Sequence, residues 1–138
     1  MSSEPRYHAL RDLITAREPI EQTVKRLGTF PWDSERVLAL LYRSDVARVL
    51  RRYLQAELSA ERCVVWADAI EARDDIGFEP HWVELLKQFI FELANPELGR
   101  PLSHDSAQGW LRLLEDAGRA DAKSEWTDGE VNLSGEEP

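Results

Sequence analysis

Apolar positions recur along this chain with the period of a helix, in separate runs divided by proline, glycine and short polar residues. The clearest run lies in Leu58–Glu79, LSAERCVVWADAIEARDDIGFE. Ser59 offers an oxygen to a free backbone N–H at a helix start, and Glu61 sits in the first turn, where the helix dipole favours negative charge. Cys63, Trp66, Ala67 and Ile70 then recur at i, i+3, i+4 and i+7, which is one apolar stripe on one side of a helix. Asp68, Glu71 and Asp75 fall on a different side, and Asp74 and Glu79 lie close by. The pattern predicts one helix with a core face and a carboxylate face.

The same reading extends outward. Tyr7, Leu10, Leu13 and Ile14 predict a helix over 7–17. Pro19 suits the first position of the next, which carries Ile20, Val24 and Leu27 and stops at Gly28. These two also read as one kinked element. Phe30 and Trp32 are expected to tuck against the core, and Asp33 or Ser34 to cap the next element. Val37–Tyr42 is a continuous apolar run that fits a buried helical turn or a short strand. No second strand candidate stands out to satisfy its backbone, so it is assigned to helix. Ser44-Asp45 then caps a helix with Val46, Val49, Leu50, Tyr53 and Leu54 inside and Arg48, Arg51 and Arg52 outside.

Past the central run, Asp74 to Phe78 breaks the pattern, and Gly77 there is able to take a positive φ. Pro80 opens the most hydrophobic helix, with Trp82, Leu85, Leu86, Phe89, Ile90 and Leu93 in its stripe and Val83 and Phe91 beside it. Asn95-Pro96 ends that helix, because the residue before proline avoids helical angles. Ser103 caps a last helix that turns Ala107, Trp110, Leu111 and Leu114 inward and closes at Gly118. Gly109 costs that helix about 1 kcal/mol relative to alanine and is read as permitting close helix contact. No repeat is present. The expected fold is all-α, a compact bundle of five to six short helices. Residues 1–5 form a flexible N-terminus, 6–118 one helical domain and 119–138 a disordered acidic tail.

Composition narrows the function classes. With 138 residues, 43% hydrophobic and 31% charged, the chain has the make-up of an ordinary globular domain. It holds no apolar run near the roughly 18 residues of a membrane span and no charged-then-apolar leader at Met1. Cys63 stands alone, which excludes an internal disulfide and a cysteine-rich zinc cage and fits the reducing cytoplasm. The net charge of −9 is uneven: residues 1–52 are +3, residues 53–117 are −8 and residues 118–138 are −4. Such a surface repels phosphate backbones and draws in basic partners. Residues 44–71 have a helix-turn-helix outline, yet the second helix would carry Glu61, Asp68 and Glu71 into the groove. Nucleic-acid binding is not expected, and Arg48, Arg51 and Arg52 are read as ion-pairing with acidic segments.

Candidate chemistry is sparse. A di-iron bundle needs Glu-x-x-His on two helices, and the nearest match is the reversed His81-x-x-Glu84. Asp68, Glu71 and Asp75 are spaced to share a cation, but no calcium loop accompanies them, and a solvated face partly neutralised by Arg62 and Arg73 is the simpler account. Cys63 lies on the apolar stripe, as a small hydrophobe does. Ser103-His104-Asp105 reads as a cap, since sequence neighbours on a helix point different ways. No metal, cofactor or enzymatic activity is expected. What remains is protein recognition: Asp68, Glu71, Asp74, Asp75 and Glu79, with Phe78 and Trp82 as aromatic anchors, form the candidate binding face for a basic protein. The alternative is a homodimeric structural or regulatory subunit that associates through the hydrophobic helix 80–94.

The run RYLQAELSAERCVVWADAIEARDDIGFE, with LLKQFIFELANPELGRPLS after it, resembles a group of small acidic all-helical bacterial proteins, some linked to toxin–immunity gene pairs. The likeness spans about residues 42–114 and contains no catalytic signature. It implies an immunity protein or antitoxin, a monomer or weak homodimer, that neutralises one cognate toxin.

Overall fold

The computed structural model describes residues 4–98 and 101–115. Helices α1 (Glu4–Ile14) and α2 (Ile20–Leu27) come first. Strand β1 (Ala39–Leu41) runs into α3 (Arg43–Leu54) and α4 (Ala60–Glu71), and strand β2 (Ile76–Phe78) leads to α5 (Val83–Ala94). A 3-10 turn at Pro96–Leu98 precedes α6, residues 104–115. The result is a helical bundle with a two-stranded parallel sheet set into it.

The centre is α4. Ser59 Oγ accepts from the Arg62 N–H at 3.1 Å, as the capping pattern predicts. Cys63, Trp66, Ala67 and Ile70 are all buried. Their stripe packs most extensively on α5 and also meets α1, α2 and α3. Trp66 is fully enclosed and its Nε1 donates to the Leu13 carbonyl at 2.7 Å, tying α4 to α1. Helix α5 buries Leu86, Phe89, Ile90, Leu93 and Ala94, and the Phe89 ring meets the Trp110 ring edge-on at 4.9 Å, bringing α6 onto it. Apolarity on several sides of α5 thus follows from its position between α4, β2 and α6.

The Val37–Tyr42 run is a strand, not a helix, because it has a partner after all. Ala39, Leu40 and Leu41 pair in parallel with Ile76, Gly77 and Phe78. The break after α4 hides that second strand, and Gly77 sits in it without a left-handed φ. Its lack of a side chain serves a close approach: a Cβ there would meet the Val37 methyls and Leu40 Cδ2 at 3.0–3.1 Å.

Other boundaries shift too. Helices α1 and α2 are separate elements, and the turn between them places Ala16 at φ 55. Helix α3 starts at Arg43, ahead of the predicted Ser44-Asp45 cap, and Asp45 instead reaches back to accept the Tyr42 N–H at 2.8 Å. Helix α5 starts at Val83 rather than Pro80, after a turn in which His81 adopts φ 73. Gly109 faces open space, so helix contact does not explain it. Phe30 is half-buried, but Trp32 is 61% exposed rather than tucked inward. Residues 119–138, expected to be a disordered tail, and the Gly118 stop lie outside the described residues.

Candidate functional site

Helix α4 closes when the Ala72 N–H reaches the Asp68 carbonyl and the Arg73 N–H reaches the Ile70 carbonyl. The chain then passes Asp74 and Asp75 and enters β2. This short exit divides the seven residues of the predicted binding face into three environments.

Asp75 is not on the surface. Its side chain is fully buried, with Arg73 Nε donating at 2.9 Å to one oxygen and Arg6 Nε at 2.9 Å to the other. Both guanidinium groups also donate to the Pro31 carbonyl, at 2.9 Å from Arg6 and 2.6 Å from Arg73. Asp75 also supplies its carbonyl to the Leu38 and Ala39 N–H groups at the mouth of the sheet, which fixes its backbone beside the two arginines. Glu79 is likewise engaged internally. It accepts from the Arg43 backbone N–H at 2.9 Å and from Arg43 Nε and Nη2 at 3.0 and 2.7 Å. Arg43 in turn lies 4.5 Å over the Trp82 ring, which leaves Trp82 half-buried as part of this staple. Asp75, Glu79 and Trp82 therefore leave the binding face and act as internal ties.

Side-chain hydrogen bonding from Arg43 holds the Glu79 carboxyl below its ordinary value of 4.5, against a smaller opposing effect of burial. A depressed folded-state value means that Glu79 contributes stability above its unfolded pKa and loses it as pH falls through the folded one. Urea midpoints measured from pH 7 down to pH 3 are expected to fall below pH 4.5, and more shallowly in Glu79→Gln. Equal acid limbs in the two proteins would contradict this.

Asp68, Glu71 and Asp74 remain exposed, and none has an ion-pair partner among the described residues. Arg62, expected to neutralise them, reaches Glu18 at 3.2 Å and Glu21 at 3.5 Å instead. The outer arginines of α3 bind acids of the same chain, as expected: Arg48 to Asp45 at 3.2 Å, Arg51 to Glu115 at 3.0 Å and Arg52 to Glu18 at 3.2 Å.

Beside Glu71 and Asp74 runs a groove of about 520 Å³ between the end of α4, strand β2 and α5, and Asp68 lies outside its lining, three residues back on α4. Ile70, Ile76, Phe78, Val83, Ile90 and Phe91 form its apolar lining, and Glu71, Asp74 and Lys87 stand at its rim. Phe78 is the one predicted aromatic anchor that takes part. The patch continues across the sheet. Val37, 52% exposed, sits over Gly77, and the Asp74 N–H donates to the Trp32 carbonyl at 2.9 Å. Trp32, Val37 and Phe91 were not singled out by spacing. Trp32 carried a signal, an aromatic in a proline-containing connection, but the hydrophobic rule places such a ring inside.

Other chemistry is weak here. Burial pushes the Cys63 thiol up to about 11, with Arg52 only partly opposing it, so this sulfur is a core atom. Among the described residues no group of three or more His, Cys, Asp or Glu is arranged to hold a metal ion. No helix among them is long and apolar enough to cross a membrane. No protein-family model, curated protein or solved structure matches the chain.

Proposed function

We propose that this chain is a protein-binding module of the immunity or antitoxin kind, which acts in the cytoplasm and neutralises a cognate basic toxin. The observation that carries this reading is the pair Glu71 and Asp74 on an apolar groove with Phe91 exposed at its edge, and Asp68 exposed three residues back on α4, all three without an ion-pair partner among the described residues. Fixed negative charges around an apolar anchor suit the cationic cleft of a protein that handles nucleic acid, where they stand in for phosphates. The net charge of −9 adds long-range attraction for such a partner.

The test is charge reversal at exposed positions only. In Asp68→Lys/Asp74→Lys, the partner captured from the native cell by the unaltered protein is expected to bind about 100-fold more weakly by calorimetry, the equivalent of about 2.7 kcal/mol. The far-UV CD spectrum should not change. Undiminished binding with the fold intact would remove the acidic rim from the site.

The second reading, a homodimeric structural or regulatory subunit associating through helix 80–94, draws on Phe91, which is 46% exposed. It has less surface to use than the sequence pattern promises, because Leu86, Phe89, Ile90 and Leu93 are buried within the chain and Trp82 and Leu85 are partly buried.

A further inference from the structure

The groove has a floor made of backbone as well as side chains. The Ala39 N–H donates to the Asp75 carbonyl at 3.2 Å and the Glu79 N–H to the Leu41 carbonyl at 2.9 Å. In a parallel ladder of this register, β1 bonds to residues 75, 77 and 79 of the facing strand and skips the ones between. The N–H and C=O groups of Ile76 and Phe78 therefore point away from β1. No hydrogen bond reaches them among the described residues. Ile76, Gly77 and Phe78 all line the groove. This is an unpaired sheet edge at the bottom of an apolar cleft, flanked by helices on either side. Ile76 is buried and Phe78 half-buried, so the edge lies recessed in the groove, and an edge left without hydrogen bonds is a template for one more strand.

We infer that the groove binds an extended segment of a partner protein, added as a third strand on the β2 edge, with lysine or arginine side chains reaching Glu71 and Asp74. The inference rests on the acidic-rim reading above and names the shape of the ligand. Charge decides the occupant. The exposed rim carries Glu71 and Asp74 against Lys87. Asp75 is shared between Arg73 and Arg6, so that cluster keeps one positive charge below the rim. The pull on a cationic segment comes from the exposed carboxylates and the net −9 of the whole chain. A second copy of this chain, at −9, and its own residues 118–138, at −4, both bring the wrong sign.

Amide exchange by NMR on the intact protein tests the edge, using an acetylated, amidated heptapeptide of alternating Lys and Val as probe. In the free protein the Ile76 and Phe78 amides should exchange faster than those of Ala39 and Glu79. Equal protection overturns the inference. Added peptide should slow exchange at Ile76 and Phe78 and shift their resonances. A version N-methylated at two adjacent central amides, which blocks both of its edges, should lose that effect at least several-fold, as should a Glu/Val peptide. If both Lys/Val peptides perturb Asp68, Glu71 and Asp74 equally, strand addition is wrong while the acidic rim stands. If the Lys/Val peptide perturbs neither set, the inference is likewise overturned, and the fate of the rim is decided separately by the charge-reversed variant. Phe78→Pro, which removes the edge donor without touching a β1 bond, should abolish the unmethylated peptide's protection at Ile76.

Discussion

Asp75→Asn is expected to cost this protein about 3 kcal/mol or more of unfolding free energy, a large share of the roughly 5–15 kcal/mol that holds a domain together. The carboxylate is completely buried, and its two oxygens accept from Arg73 and Arg6 at 2.9 Å each. Arg73 is itself only 8% exposed, so water cannot take over for a missing anion there. Removing one member of such a group leaves buried positive charge without compensation, which costs more than the pair contributes net. The damage also spreads, because the same two guanidinium groups hold the Pro31 carbonyl. Urea unfolding by tryptophan fluorescence reads the loss directly. Adding Arg73→Met to Asp75→Asn should recover part of it, since the stranded charge is then gone. A change below about 1 kcal/mol in the single variant would show that the cluster is solvated and weak.

Trp66→Ala is expected to be comparably severe, at about 3–5 kcal/mol, through the cavity left where α4 meets α1 and the lost enclosure of a large ring. Trp66→Phe separates the two contributions. It keeps most of the apolar volume but removes one of the two hydrogen bonds that the Leu13 carbonyl accepts, the indole N–H at 2.7 Å, and leaves the Ala16 N–H at 2.8 Å. Losing that hydrogen bond costs about 0.5–1.5 kcal/mol. Thermal unfolding monitored by CD distinguishes the two variants. If Trp66→Phe is as stable as the parent, the Ala16 N–H suffices for the Leu13 carbonyl, and the indole hydrogen bond does not fix the α1–α4 packing.

These two residues also mark what could be read from sequence and what could not. Trp66 was legible because a helix repeats locally: Cys63, Trp66, Ala67 and Ile70 share a face through spacing alone. The same rule placed Asp75 with Asp68 and Glu71, and there it failed. The helix ends at Glu71, so the periodicity no longer applies four residues later. Its Arg73 partner was nearby in sequence, but the Arg6 partner lies at the other end of the domain. The strands were hidden for a related reason. Three residues give too little alternation to recognise, and their pairing is set by tertiary contact. Glu79 was read as free surface because nothing local announces Arg43. Asp68, Glu71 and Asp74 kept their predicted exposure, being on the helix or at its immediate exit.

The pairing of β1 with β2 has a consequence for when the molecule can work. Ala39 and Ile76 are far apart in the chain, with all of α3 and α4 between them. The entropy of closing that loop must be met before either strand gains a bond, so the two helices have to be in place first. The ladder, and with it the groove floor, is expected to form late in folding. A nascent or half-folded chain offers negative charge to its surroundings but no seat for a strand, and recognition waits for completion.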